Sequence, residues 1–201
     1  MPTKQISLVT CARSDLNSYL PILWALRGRP EFAAQVIATG MHLSAEFGMT
    51  VRLVEEAGVK VAHRIESLSG SDAPEGVGRS IGRGVAGFAE LFARQVPDLL
   101  VLFGDRFDMY PAAVAALPFA IPVAHIGGGE ISEGAIDDAL RHSLTKLSHL
   151  HFVTTTDAAQ RVVQLYPSDP SAWRLLGECQ LQAGDVSSAP GTLKAAEAAG
   201  L

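Results

Sequence analysis

Short apolar runs alternate with amphipathic stretches over the first 165 residues of the chain. The runs span residues 6–10, 35–39, 60–65, 99–103, 121–126 and 150–154. They are too short for helices, and the runs at 99–103 and 121–126 are followed directly by Gly104 and Gly127. Such short runs bounded by turn residues are typical of buried strands. The pattern therefore predicts six strands.

The stretches between the runs predict helices over residues 19–27, 47–57, 81–92 and 157–165, with a short alanine-rich helix between the fourth and fifth strands. Residues 67–78 are rich in Ser, Gly and Pro and predict a loop, and Asp157 is the candidate N-cap of the last helix. Repeated βα units of this length favour an α/β fold, a doubly wound parallel sheet with right-handed crossovers.

The character of the sequence changes after residue 165. Residues 166–171 predict a linker or turn, and the rest predicts two short helices around Gly184 and Asp185. Their spacing resembles a single tetratricopeptide repeat, carried by Trp173, Leu176, Gly177, Gly184, Ala189, Leu193 and Ala196. One such repeat cannot bury its own apolar face. We therefore predict two parts, 1–165 and 166–201, with the tail packed on the sheet. A partner-binding module is the alternative for the tail.

Composition narrows the classes of protein. The chain has 201 residues, of which 48% are hydrophobic and 18% charged, as in a globular domain. The net charge of −5 and the pI near 5.6 argue against a nucleic-acid or anionic-membrane partner. Cys11 and Cys179 lie far apart, as expected of a reduced protein. With no signal-peptide or transmembrane pattern, the sequence predicts a soluble, cytoplasmic protein.

Charged residues and glycines follow the predicted strands. Asp105 and Arg106 come after the fourth, and a glycine run ending in Glu130 comes after the fifth. Asp137, Asp138, Arg141 and His142 then occupy positions i, i+1, i+4 and i+5 of a predicted helix, and Arg13 and His42 also follow strand ends. Ligands bind at this edge of open α/β sheets. Arginines there suit phosphate or carboxylate recognition, and the acids beside them suit proton transfer.

A glycine pattern and a group of histidines could indicate a dinucleotide site and a metal site, but their placement argues against both. Gly82, Gly84 and Gly87 spell G-x-G-x-x-G, but they lie inside an amphipathic helix rather than in a turn after a strand. This placement disfavours nicotinamide binding and an oxidoreductase. The histidines His125, His149 and His151 lack metal-ligand spacing and are interpreted as structural, so no metal is predicted.

Several motifs, in this order, resemble the hydrolysing UDP-N-acetylglucosamine 2-epimerases, and most closely the branch that feeds sialic and legionaminic acid synthesis. They are Arg13-Ser14-Asp15, Gly40 to Leu43, Gly104-Asp105-Arg106, His125 to Glu130, Glu133 to Asp138, and Arg141-His142 to Thr145-Lys146. The resemblance implies two facing Rossmann-like lobes of the glycosyltransferase-B type, with the substrate in the cleft. It implies elimination of UDP to a glycal and addition of water, without a metal or nicotinamide cofactor.

The resemblance also implies roles for individual residues. Asp105, Glu130 and Asp137 would be candidates for proton transfer, with the choice of acid and base left open. Arg141 and His142 would steady the sugar or the departing UDP, and Arg13 would help hold the diphosphate. The remaining substrate-binding candidates are His42, Arg106, Gly128 and Gly129. Leu16 stands where many relatives have an aromatic residue, and Gly127 stands where some have Glu or His.

The resemblance covers roughly residues 5–165, and residues 166–201 do not resemble the start of the second lobe. We therefore expect an epimerase-type catalytic lobe that is either incomplete or completed by another chain or in a homo-oligomer, with little or no turnover alone. The substrate is UDP-N-acetylglucosamine or UDP-diacetylbacillosamine. The alternative from another class is a non-catalytic binding or scaffolding protein that uses its helical tail.

Overall fold

The described residues of the computed structural model are 2–133, 136–185 and 187–198, and they contain a six-stranded parallel sheet. In chain order its strands are β1 (Lys4–Thr10), β2 (Phe32–Thr39), β3 (Val61–Ile65), β4 (Leu99–Phe103), β5 (Val123–Ile126) and β6 (Leu150–Phe152). In space the order is β3-β2-β1-β4-β5-β6, and every pair is parallel. The chain therefore winds outward from β1 to β3, crosses back, and winds outward again from β4.

The helices of the described residues connect and follow these strands. They are α1 (Arg13–Leu26), α2 (Val51–Glu56), α3 (Pro74–Arg94), α4 (Tyr110–Ala116), α5 (Ile136–Leu147), α6 (Thr156–Leu165), α7 (Pro170–Gln182) and α8 (Ala189–Ala198). Two 3₁₀ turns, Gly40–Leu43 and Leu117–Phe119, complete the assignment. Gly134 and Ala135, which belong to one motif of the family resemblance, lie outside the described residues.

Alternate residues of the central strands pack on opposite faces of the sheet. Leu8, Val36 and Val101 join the core formed with α1 and α2. Val9 and Leu102 join the core formed with α3, α4 and α5. Because successive strand residues point to opposite faces, both faces must be apolar and covered by helices. The predicted doubly wound parallel sheet is confirmed.

Helix α1 begins earlier than the sequence pattern predicts. The backbone N–H groups of Cys11 and Ala12 donate to Asp15 Oδ2 over 2.8 and 3.0 Å. A carboxylate that accepts these bonds satisfies donors that a helix start leaves unpaired. The helix therefore begins at Arg13 rather than at Tyr19.

Four other helix starts also differ from the prediction. Helix α2 begins at Val51 rather than at Phe47. Helix α3 begins at Pro74, within the predicted loop, because proline suits the first turn of a helix. Helix α7 likewise begins at Pro170, within the predicted linker. The N-cap of α6 is Thr155, whose hydroxyl accepts from the Ala158 N–H, so the prediction that Asp157 caps this helix is wrong.

The glycines of the G-x-G-x-x-G pattern lie within α3, where Gly82 has open space beside it and the other two allow close packing. A Cβ on Gly84 would lie 2.8 Å from the Pro111 side chain, at the start of α4. A Cβ on Gly87 would lie 2.7 Å from Ile65 Cγ2, at the end of β3. These glycines thus bring α3 onto its neighbours.

The tail packs on the last helix of the sheet region. Ala172 and Leu176 of α7 form a small core with Val162 of α6. Gly177 lets α8 approach α7, because a Cβ there would lie 2.7 Å from Leu193 Cδ2. The apolar face of α7 is therefore used within the chain. Among the described residues, none of the helices has the length and apolarity that crossing a membrane requires.

Helices α5 and α6 cap each other. The Tyr166 hydroxyl, just after α6, lies within hydrogen-bond distance of the Thr145, Lys146 and Ser148 carbonyls at the end of α5. In return, Lys146 Nζ donates to the Leu165 carbonyl over 2.9 Å and lies 4.2 Å from the centre of the Tyr166 ring. The ends of the two helices are thus tied together.

Candidate functional site

The candidate site lies where the winding of the sheet reverses. Strands β1 and β4 are neighbours in the sheet, although β2 and β3 lie between them in the sequence. A crevice forms at the carboxyl ends of strands at such a switch point. Beyond β4 and β5 the ladder continues for one more residue, because the Gly104 N–H donates to Ile126 O and the Gly127 N–H donates to Phe152 O. The polar residues that follow these glycines are therefore held at one edge.

Arg141 binds two carboxylates at this edge. It comes from α5, is only 8% exposed, and donates from Nη2 to Asp105 and from Nη1 to Glu130 over 3.1 Å. Nη1 also donates to the Gly127 carbonyl over 2.7 Å. Asp105, Glu130 and Arg141, hereafter the Arg141 cluster, come from three segments that follow β4, β5 and the start of α5. The planar guanidinium fork suits two such partners at once.

A second layer of polar groups surrounds the cluster. Ser132 Oγ donates to Asp105 over 3.2 Å, and the Ser132 N–H donates to Asp138 over 2.9 Å. The Thr154 hydroxyl donates to Glu130. These contacts restrict both carboxylates.

His142 and Asp137 lie on the same helix as Arg141. His142 Nε2 is 3.6 Å from Asp138 Oδ1, in the i,i+4 relation that the sequence predicts. Asp137 lies in the first turn of α5 and is half-buried. Both therefore remain beside the cluster rather than within its hydrogen bonds, and their roles stay predictions.

The glycine run after β5 is required by close packing. Gly129 has φ +73°, and a Cβ on it would lie 2.4 Å from the Ala158 carbonyl oxygen of α6. A Cβ on Gly128 would lie 2.9 Å from both His125 Nδ1 and Thr145 Oγ1. Arg161 of α6 donates to the Gly129 carbonyl over 2.9 Å. Gly128 and Gly129 thus hold the loop that carries Glu130 against β5, α5 and α6.

Arg106 is fixed on the other side of β4. It donates from Nε and Nη2 to Asp108 over 3.0 and 3.3 Å, and the Asp108 side chain is fully buried. Gly40 makes room for this carboxylate, because a Cβ there would lie 2.2 Å from Asp108 Oδ2. Arg106 lines a pocket of about 360 Å³ whose other walls include Phe47 and the serine-rich loop after β3. The structure therefore presents a second oriented guanidinium beside the crevice.

Two of the predicted binding residues lie apart from the Arg141 cluster. His42 has no exposed surface, and its ring nitrogens lie 2.9 Å from Thr10 Oγ1 and 2.8 Å from Thr50 Oγ1. Burial lowers the pKa of His42, which favours the neutral ring. This placement argues against direct contact of His42 with a ligand. Arg13 is exposed at the first residue of α1, at the carboxyl end of β1.

A family model described as "UDP-N-acetylglucosamine 2-epimerase" matches residues 24–178, more than half of the chain. The chain belongs to this epimerase family. It is 34% identical over 165 residues to the GDP/UDP-N,N'-diacetylbacillosamine 2-epimerase (hydrolyzing) of Campylobacter jejuni, covering 82% of this chain and 43% of that one. It is 35% identical over 162 residues to the UDP-N,N'-diacetylbacillosamine 2-epimerase (hydrolyzing) of Legionella pneumophila, covering 81% and 43%.

Solved structures of epimerases share the fold. The UDP-GlcNAc 2-epimerase of Neisseria meningitidis bound to UDP-GlcNAc has a TM-score of 0.68 at 18% identity, over 93% of this chain and 51% of that one. The Methanocaldococcus jannaschii enzyme has a TM-score of 0.68 at 20% identity, over 80% and 42%. The chain thus spans less than half the length of the curated relatives above. The family match also continues past residue 165 into α7, beyond the expected end of the resemblance.

Sequence reasoning assigned no role to several polar residues of this candidate site. Ser132 and Thr154 contact the carboxylates, Asp108 orients Arg106, and Thr145 contacts the glycine loop. The Gly40 motif and the helical position of Thr145, one turn after Arg141, were the available signals. The partners of Ser132 and Thr154 lie 27 and 24 residues away, and no local pattern marks such contacts.

Proposed function

We propose that this chain is the amino-terminal catalytic lobe of a hydrolysing UDP-sugar 2-epimerase. The observation that carries the proposal is the bridging of Asp105 and Glu130 by one nearly buried arginine at the carboxyl ends of β4 and β5. Acids fixed beside an arginine suit proton transfer next to a leaving anion. The names of the two bacterial relatives support the hydrolysing reaction and its substrate class.

The reaction needs two proton transfers and stabilisation of a departing diphosphate. A carboxylate removes the proton on C2 while the bond from C1 to the diphosphate oxygen breaks, which leaves a C1–C2 double bond and free UDP. Water then adds its hydroxyl to C1, and C2 gains a proton on the opposite face. The products are UDP and the free 2-epimer of the sugar.

The described residues divide these tasks by position. Asp105, Glu130 and Asp137 are the proposed proton-transfer groups, and Arg141 and His142 steady the sugar or the charge that develops on UDP. Arg13 and Arg106 are the proposed diphosphate contacts at the ends of β1 and β4. Gly128 and Gly129 are the proposed substrate-binding residues of the loop that carries Glu130. Fixed donors of this kind act mainly by charge stabilisation and positioning.

We further propose that a second surface completes the site, from another chain or in a homo-oligomer. The chain spans 43% of the length of each relative named above. Apolar side chains beside the Arg141 cluster are exposed, with Ile131 at 54% and Phe152 at 56%. An ion pair between an arginine of the chain and a bound diphosphate is weak at an open edge, because water screens it. We therefore expect slow UDP release by this chain alone.

UDP release tests the proposal directly. The purified chain is incubated with UDP-N-acetylglucosamine or UDP-N,N'-diacetylbacillosamine, and UDP and free sugar are quantified. Asp98 and Asp105 flank the two ends of β4, so Asp98→Asn is a matched control for Asp105→Asn. We expect Asp105→Asn to abolish the slow release and Asp98→Asn to retain it. Release that is equal in both variants, or absent with both substrates in the wild type, would count against the catalytic assignment.

A further inference from the structure

His125 lies beneath the Arg141 cluster and contacts all three segments that form it. Its Nε2 is 2.6 Å from the carbonyl oxygen of Gly104, the residue before Asp105. Its Nδ1 is 3.3 Å from Thr145 Oγ1, one helical turn beyond Arg141. The backbone of Gly128 lies against the same ring edge, where a Cβ would approach Nδ1 to 2.9 Å. One imidazole therefore spans β4, the glycine loop and α5.

These contacts define the state of the ring. A carbonyl oxygen only accepts hydrogen bonds, so Nε2 must carry the hydrogen that it donates to Gly104. Burial lowers the pKa of His125 to about 4, and the ring has no exposed surface, so it is neutral at pH 7. Nδ1 then carries no hydrogen and lies in contact with Thr145 Oγ1, whose single hydrogen goes to the Arg141 carbonyl. The ring thus has a defined tautomer and orientation.

The same contacts connect the ring to the ion pair above it. Gly104 has φ +76° and is directly followed by Asp105, so its carbonyl fixes the direction in which the chain leaves β4. The Thr145 hydroxyl donates to the Arg141 carbonyl over 2.9 Å. A shift of the ring would therefore move Asp105 relative to the helix that carries Arg141.

We propose that His125 is a positioning residue that sets the separation of Asp105 and Arg141 through its hydrogen bond to Gly104 and its contact with Thr145. This inference deepens the proposed function, on which its catalytic meaning rests. The ring touches neither of the two side chains by hydrogen bond, and it acts through the backbone of one and the helix of the other. Positioning errors of about 1 Å can reduce turnover about 100-fold.

NMR spectroscopy of the Arg141 guanidinium tests this without requiring turnover. In the wild type, its Nη–H groups are held by Asp105, Glu130, Ser132 and the Gly127 carbonyl, so we expect resolved, slowly exchanging signals. His125→Leu removes the donor, whereas His125→Gln keeps an N–H at similar reach. We expect exchange about tenfold faster or more in His125→Leu, the factor that corresponds to one net hydrogen bond, and near-normal exchange in His125→Gln.

Two further variants keep the test decisive. Thr145→Val removes the hydroxyl at the other end of the ring and substitutes for His125→Leu if that variant does not fold. His63→Leu is the matched control, because His63 bonds to Gln95 on the far edge of the sheet and its loss should leave the Arg141 signals unchanged. Unchanged Arg141 exchange in the folded His125→Leu or Thr145→Val variant, or no recovery in His125→Gln, would overturn the positioning role. Missing UDP release with the expected Arg141 exchange would instead refute only the proposed function.

Discussion

Replacing Arg141 with methionine should destabilise the chain strongly, because the change leaves two carboxylates without their shared cation. Methionine keeps most of the side-chain length, so little packing is lost. The Arg141 side chain is 10% exposed and that of Asp105 is 19% exposed, whereas that of Glu130 is 35% exposed. Desolvation penalties fall on the groups with least access to water. Most of the cost should therefore come from Asp105.

The magnitude follows from these exposures. Breaking a buried ion pair by removal of one partner costs about 3–5 kcal/mol. Because water reaches this site in part, we expect about 3 kcal/mol for Arg141→Met. In double-mutant cycles, the coupling energy should be about 2 kcal/mol with Asp105→Asn and below about 1 kcal/mol with Glu130→Gln.

Urea denaturation at pH 7.5, followed by circular dichroism, measures these values as differences in the free energy of unfolding. Arg174→Met is the matched control, since Arg174 pairs with Glu178 in an exposed i,i+4 arrangement and should contribute less than about 0.5 kcal/mol. A loss below about 1 kcal/mol for Arg141→Met would refute this account. Equal coupling to Asp105 and Glu130 would refute the distinction drawn from exposure.

Three other perturbations have defined outcomes. Gly129→Ala should cost about 3 kcal/mol or more, since a Cβ would meet the Ala158 carbonyl, whereas Gly184→Ala, with similar φ and open space, should cost about 1 kcal/mol in thermal unfolding. The pKa of His125 is about 4 in the folded chain and about 6.5 when unfolded. The unfolded state therefore binds more protons between these values, and stability should fall by up to about 3 kcal/mol as pH drops from 6.5 to 4. A pH titration of His125→Gln should lack this slope. Tyr166→Phe should lower the free energy of unfolding by about 1–2 kcal/mol in urea, because the α5 carbonyls lose their donor, and no change would contradict the cap.

The strands of this chain could be predicted from the sequence better than the first residues of its helices. Strand β4 begins and ends at the residues that its apolar run predicts, because a central strand covered on both faces must be apolar throughout. The start of α1 could not be predicted, because it depends on the hydrogen bonds that the Asp15 carboxylate accepts from the backbone before the helix. Thr155 and Asp157 are both capping residue types, and composition does not choose between them.

The meeting of Asp105, Glu130 and Arg141 follows from topology and could be anticipated from the order of strands and the switch-point rule. The contacts of Asp108 and the burial of His42 could not. The first depends on how the 3₁₀ turn after β2 packs against the segment after β4, which joins residues about 65 positions apart. The second depends on Thr10 and Thr50, which lie 32 and 8 positions from His42. Side chains at such junctions carry no periodic signal.

The mutual capping of α5 and α6 matters to anyone who shortens or fuses this chain. A cut after Leu165, where the composition changes, would keep every member of the Arg141 cluster. It would also remove the Tyr166 hydroxyl that secures the last turn of the helix carrying Arg141, and free Lys146 from the ring it covers. Fragments should therefore extend at least through Tyr166. Loss of activity in a shorter one would report a frayed helix rather than the absence of a catalytic group.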